Sequence, residues 1–201
     1  MKQNIFWKNN DGKKYINRNL DFNSENAIKA WNKMLHKVDK ITSILECGSN
    51  IGRNLIYLDS IFPKATKSLI EINNDAYKIA IKNVNPLHSF NGTILESTLD
   101  SNYFDLVFTC GVLIHIHPDQ LLENCNRMFE YSSKYILLAE YFSREPEAKE
   151  YHGEKDLLFK RDFGKYFIEN FPVKIVNYGF LWGYEFDTAG YDDITYWLFK
   201  K

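Results

Sequence analysis

Cysteine is scarce in this chain, net charge is almost nil, and no apolar run is long. Each shortage excludes something. The three cysteines, Cys47, Cys110 and Cys125, are odd in number and lack metal-ligand spacing. That argues against a disulfide framework and for a reducing, cytoplasmic compartment. A net charge of -1 at pH 7, with no basic stripe, excludes a dedicated nucleic-acid binder. No apolar stretch reaches the roughly 20 residues of a membrane span. The opening "MKQNIFWKNNDGKK" lacks the apolar centre of a signal peptide. Repeats, low-complexity tracts and Pro/Gly/Ser linkers are also missing, so a single domain over residues 1–201 is expected.

What is present is an alternation of elements. "NSENAIKAWNKMLHKV" (23–38) spaces its apolar residues as a helix does, with Asn23 or Ser24 as N-cap. "ITSILEC", "KSLIEI", "LHSFNG", "FDLVFTCGVLI" and "KYILLAEYF" read as five strands. Between them "GRNLIYLDSIF", "NDAYKIAIKNV" and "PDQLLENCNRMFEY" read as helices, the last with Pro118 in its first turn. This alternation predicts a parallel sheet covered on both faces. "FPVKIVNYGFLW" and "DDITYWLFKK" then predict an antiparallel hairpin at one end. The expected fold is therefore α/β and Rossmann-like, a mostly parallel seven-stranded sheet with a C-terminal antiparallel hairpin and helices on both faces. Aromatics make up 16% of the chain and gather near its ends (Phe6, Trp7, Tyr15; Tyr178, Phe180, Trp182, Tyr184), where they fill core or wall a pocket.

"ILECGSNIGRNL" (44–55) turns the first strand into the first core helix. The order Gly48-Ser49-Asn50-Ile51-Gly52 fails the G-x-G-x-x-G rule of dinucleotide sites, because Asn50 replaces the second glycine and Arg53 the third. It is nearer the acid-x-Gly-x-Gly-x-Gly turn of methyltransferases, with Glu46, Gly48, Asn50 and Gly52 in register. The cofactor there, S-adenosylmethionine (SAM), has no phosphate, and Glu46 is placed to attract its ammonium. Cys47 and Ser49 belong to the same loop. Glu71, with Ile72, ends the second strand, where a carboxylate can hold two ribose hydroxyls. Thr93 and Ile94, in "NGTI", fall where adenine would pass. The bland alternatives are an ordinary turn and a surface carboxylate.

"FDLVFTCGVLIHIHPDQL" carries the fourth strand over the ligand edge of the sheet. Cys110, Gly111 and Val112 would lie beside the cofactor. An Asn/Asp-Pro-Pro-Tyr motif is missing here, which argues against a nucleic-acid base as acceptor. His115 and His117 are too few ligands for a metal, and none is expected. They are candidates for a general base, His115 first. The alternative is that one packs and the other caps the "PDQLL" helix. Glu140, at the end of the fifth strand, is a third base candidate.

These segments together resemble the methylases associated with pseudaminic acid biosynthesis, a SAM-dependent family of class I fold. The resemblance runs almost end to end: "FWKNNDGKKYINRN" at the start, the two cofactor segments, the fourth-strand motif, "YILLAEYFSREPEAKEYHGEKDLLFKRDF", and "DDITYWLFKK" at the end. It implies SAM as cofactor, S-adenosylhomocysteine (SAH) as product, and a small sugar-like acceptor of surface-glycan synthesis. It also implies an N-terminal arm or lid (1–40), a SAM-binding core (41–142) and an acceptor-side elaboration (143–201). Tyr15, Arg18 and Asn19 would fold over the cofactor. Tyr141, Tyr151, Lys160 and Arg161 would border the acceptor, unless Asp162 merely caps a helix beside a solvated loop. Where the family reads "EYYNPSP" and "YRG", this chain has Glu140 to Pro146 and Tyr151-His152-Gly153, so the acceptor is the part least constrained. Methylation of a protein side chain or another metabolite, and a binding module without turnover, are the other readings. No nucleic-acid or membrane partner is expected, and the protein is read as a monomer or homodimer.

Overall fold

The computed structural model describes residues 2–8, 24–151, 153–187, 190–191 and 193–201. Tyr15, Arg18 and Asn19 lie outside the described residues. The order is α1 (Lys2–Lys8), α2 (Ser24–Met34), β1 (Ser43–Cys47), α3 (Arg53–Ile61), β2 (Thr66–Glu71), α4 (Asn74–Val84), β3 (His88–Asn91), β4 (Phe104–Cys110), a 3-10 turn (Leu113–His115), α5 (Pro118–Tyr131) and β5 (Ser132–Glu140). Then follow β6 (Glu147–Tyr151), β7 (Glu154–Lys160), α6 (Phe163–Asn170), β8 (Lys174–Leu181), α7 (Gly183–Phe186) and β9 (Ile194–Lys200).

The central sheet runs β3-β2-β1-β4-β5-β9-β8. β1 to β5 are parallel, while β9 is antiparallel to both β5 and β8. The expected fold class stands, C-terminal hairpin included. Side chains alternate across each strand, and the core divides accordingly. Leu106 and Phe108 of β4 and Leu137 and Ala139 of β5 pack with α2 and α3 on one face. Val107, Ile136 and Leu138 pack with α5 and α6 on the other. Strands buried on both faces carry unbroken apolar runs, as "SILEC" does with every residue buried.

Local chemistry sets the helix ends. Asn73 caps α4, its side chain accepting from the N–H groups of Asp75 and Ala76 at 3.0 Å each. His117 caps α5 ahead of Pro118. Asp162 caps α6 through Lys165 N–H at 2.8 Å. The stretch read from sequence as a loop between β5 and α6 is instead a second, two-stranded sheet, β6 paired antiparallel with β7. Its β6 strand, "EAKEY", is polar and largely exposed, so it carries no apolar alternation to betray it. Among the described residues no helix is long and apolar enough to cross a membrane.

Strand order reverses between β1 and β4, and the crevice outside their C-terminal ends is where open α/β sheets bind ligands.

Candidate active site

A cavity of about 580 Å³ opens at this point. Its floor is the turn from β1 to α3. Gly48 (φ 81°), Asn50 (φ 49°) and Gly52 (φ 80°) are all left-handed there, a conformation that glycine and asparagine tolerate best. A Cβ on Gly48 would stand 2.6 Å from Val112 Cγ2, and one on Gly52 would stand 2.4 Å from Val84 Cγ2. The first glycine thus lets the loop after β4 close over the turn. The second lets α4 pack against α3.

Glu71 ties this turn to the next. Its Oε2 accepts Asn50 N–H at 2.6 Å and its Oε1 accepts Asn73 N–H at 2.7 Å. Burial raises its pKa, while the backbone N–H groups of Asn73 and Asn50 pull it back. Each carboxylate oxygen has a second lone pair, and the residue lines the cavity. That arrangement suits a vicinal diol such as a ribose.

Glu46 lies just beneath. It is 1% exposed. Its Oε1 accepts from Asn54 Nδ2 at 2.7 Å, and Tyr191 O–H donates to Asn54 Oδ1 at 3.0 Å. Its Oε2 is buried without a hydrogen-bond partner. Burial pushes this carboxyl up to about 8, with Asn54 and the charge of Arg53 opposing. Glu46, Cys47 and Gly52 are not in the cavity wall, whereas Gly48, Ser49, Asn50, Glu71, Ile72, Thr93, Ile94, Cys110, Gly111 and Val112 are. Burial pushes the thiols of Cys47 and Cys110 far up, so neither is a thiolate at neutral pH. Thr93 does not present its hydroxyl alone. It donates to Glu96 Oε2 at 2.9 Å and accepts Glu96 N–H at 3.1 Å. The carboxylate at this end of the cavity is therefore Glu96.

The other end is aromatic. Trp7 of α1, His115 of the 3-10 turn and Tyr151 of β6 pack together, with Trp7 to His115 at 4.6 Å and His115 to Tyr151 at 5.1 Å between ring centroids. His115 Nδ1 lies 2.9 Å from the carbonyl of Leu157. A carbonyl only accepts, so Nδ1 carries the proton and the neutral ring has its lone pair on Nε2. His117 is turned to structural use. Its Nδ1 accepts Asp119 N–H at 3.3 Å, and its ring meets Phe159 edge-on.

Three further sequence candidates, Glu140, Lys160 and Arg161, also stand outside the cavity. Glu140, read as a possible base, is fully buried and accepts the N–H groups of Val112 (3.1 Å), Leu113 (3.1 Å) and Ile114 (3.4 Å). It fixes the loop after β4 and reaches no acceptor; burial raises it to about 7. Lys160 and Arg161 are likewise not in the wall. Each lies over a ring, Lys160 over Tyr141 at 5.0 Å and Arg161 over Tyr166 at 5.1 Å. Tyr141 and Tyr151 do line the cavity.

Trp7, read from sequence as core or pocket wall, also lines it, as do Gln3, Asn4, Arg53, Asn54 and Gln120, which sequence reasoning missed. Arg53 had a signal, as the first helical residue after the glycine turn. α1 had none. It is held by Asn73 Nδ2 donating to Trp7 O at 3.0 Å and by Gln3 Nε2 donating to Asp156 O at 2.8 Å.

Residues 45–137 match the family model for a methyltransferase domain. Over that stretch the chain is similar to methyltransferase domains. Its fold is shared with a SAM-dependent methyltransferase from Leishmania major, at TM-score 0.71 and 17% identity over 89% of this chain and 72% of the other. The Burkholderia thailandensis 1,6-didemethyltoxoflavin N1-methyltransferase, solved with its acceptor and SAH, aligns at TM-score 0.67 and 12% identity over 89% and 77% of the two chains. Coclaurine N-methyltransferase, solved with N-methylheliamine and SAH, aligns at TM-score 0.65 and 11% identity over 89% and 72%. The sequence has no match among curated proteins. In this chain the left-handed turn and the Glu71 carboxylate are the features that suit the SAM such folds bind.

Proposed function

We propose that the methyltransferase moves a methyl group from SAM to an oxygen or nitrogen of a small molecule, a sugar or nucleotide sugar of surface-glycan (nonulosonic acid type) synthesis in the cytoplasm. One observation carries the reading. The glycine turn with Glu71 and the aromatic group around His115 are two ends of a single cavity of about 580 Å³, a size that suits small-molecule sites.

SAM supplies an electrophilic methyl on a sulfonium, which leaves as a neutral thioether. The chain must bind, align, exclude water and accept a proton. We assign cofactor binding to Gly48 through Asn50, Glu71, Ile72, Thr93, Ile94 and Cys110 through Val112, with Glu46 beneath them holding Asn54 in the wall. Arg53, a cation in the wall, is placed among them to meet the carboxylate of the methionine part. His115 Nε2 is the base for an acceptor O–H or N–H. The neutral amides of Gln3, Asn4 and Gln120 beside Trp7, Tyr141 and Tyr151 are chemistry that suits a hydroxylated ring, with hydrogen bonds at its rim and an apolar face against aromatics. The arm containing α1 acts as a lid over this end, and the segment 143–201 supplies the acceptor side.

The test has two steps. Isothermal titration with SAM and SAH is expected to give micromolar affinity that Glu71→Ala abolishes. Transfer of labelled methyl to a panel of amino- and hydroxy-sugars is then expected to give a product. Absence of binding by the folded wild type refutes the cofactor assignment. Binding followed by labelling of a protein or of another metabolite, or of nothing, replaces the sugar reading with the corresponding alternative.

A further inference from the structure

The central sheet has two edges, and they are built differently. β3 is four residues long. β8 is eight residues long and, among the described residues, pairs only with β9. Natural edges are blunted by shortness, proline, bulges or charge, because an open row of N–H and C=O groups recruits another strand. β8 contains no proline, and its one charge, Lys174, is at its start; its register with β9 shifts once, between Ile175 and Asn177, which puts Ile175 on the same face as Tyr178 and Phe180 and leaves Asn177 to Leu181 regular. Lys33 Nζ reaches one carbonyl of this strand, Phe180 O, at 3.2 Å, and a carbonyl has room for a second donor.

The side chains of this edge are apolar and exposed. Asn177 donates to the carbonyls of Lys33 and Met34 in α2, and a Cβ on Gly179 would meet Tyr196. Those two positions face the helix, so Tyr178 and Phe180 face the other way. Tyr178 is 69% exposed, and Ile175, Phe180, Trp182 and Tyr184 are exposed as well. Five exposed large apolar side chains within ten residues exceed the scattered singles of an ordinary surface.

We infer that β8 pairs antiparallel with β8 of a second copy of this chain, joining two seven-stranded sheets across a two-fold axis. A two-fold interface requires a self-complementary patch, and this one complies. Full-length pairing sets Ile175 opposite the partner's Phe180 and brings Tyr178 next to its own copy across the axis. Lys174 at one end then approaches the stretch beyond Leu181 that carries the exposed acids Glu185 and Asp187 at the other. Opposite charges thus meet at both ends of the pairing, which fixes the antiparallel sense.

Sedimentation equilibrium of the full chain at micromolar concentrations tests this. The wild type is expected to be a dimer. Tyr178→Lys with Phe180→Lys is expected to raise the dissociation constant by roughly tenfold or more while leaving SAH affinity unchanged, which certifies the fold. Lys174→Glu is expected to weaken the dimer, and adding Glu185→Lys to restore it. A monomeric wild type, a dimer that the paired lysines leave intact, or a charge reversal without rescue overturns the inference.

Discussion

At the scale of single residues the site separates groups that act from groups that hold. His115 is expected to act. Removing a positioned general base costs typically 10² to 10⁴-fold in rate, so His115→Ala is expected to lose turnover by about that factor with SAH affinity preserved in titration. Unchanged turnover would reassign the proton. Glu46 holds, and its burial makes stability depend on pH. The folded protein keeps this proton up to about pH 8, whereas an unperturbed Glu loses it near 4.5. Between those values the folded state binds more protons, so stability falls as pH rises through the window and levels off above it. Glu140, raised to about 7, bends the curve the same way. Glu46→Gln keeps an acceptor for Asn54 Nδ2 and has no proton to lose. It is expected to flatten the pH 5 to 8 fall by about a few kcal/mol in urea unfolding, and an unaltered slope would contradict the protonated carboxyl.

At the scale of elements the loop between β4 and α5 decides the geometry, and Glu140 is its anchor. Three backbone N–H groups of that loop end on one carboxylate. Glu140→Ala leaves them without an acceptor in a buried place, which costs about 3 kcal/mol. The expected outcome is lower stability in denaturant together with lost turnover, since Val112 and His115 belong to the same loop, and Glu140→Gln is expected to recover part of both. Stability lost without any change in turnover would show that the loop holds its place without this anchor. The parallel strands were legible because burial on both faces writes them as apolar runs, as in "SILEC" and "FDLVFTC". The helix "PDQLLENCNRMFEY" coincides with α5 because proline, cap and periodicity agree. The β6–β7 hairpin was not legible, since its strands are stabilised from outside by contact with the 3-10 turn and α1. For the same reason Glu140 was taken for a base: sequence shows an acid at the ligand edge, and only the fold shows which way it points.

At the scale of the whole molecule the cavity is assembled from distant parts of the chain: α1, the turns after β1, β2, β3 and β4, the β6–β7 hairpin, Gly190, and Ile194 at the start of β9. Gly48, Asn50 and Glu71 could be placed at the cavity from sequence because strand, turn and helix follow one another at short offsets, whereas the buried position of Glu46 could not. Trp7 and Tyr151 meet across 144 residues, a pairing no local spacing encodes. A ligand that contacts all these parts binds the native state and has nothing comparable to bind once they separate. It therefore stabilises the fold by RT ln(1 + [L]/Kd), about 2.7 kcal/mol at a hundredfold excess over Kd. For a domain of this size each kcal/mol raises Tm by about 2 to 4 °C. SAH at that excess is thus expected to raise the melting temperature by about 5 to 10 °C. Glu71→Ala is expected to show no shift at the same concentration, and Trp7→Ala a reduced one, because α1 closes the cavity without supplying the diol-binding carboxylate. An equal shift in wild type and Glu71→Ala, read by differential scanning calorimetry, would mean that SAH binds elsewhere than between the glycine turn and the end of β2.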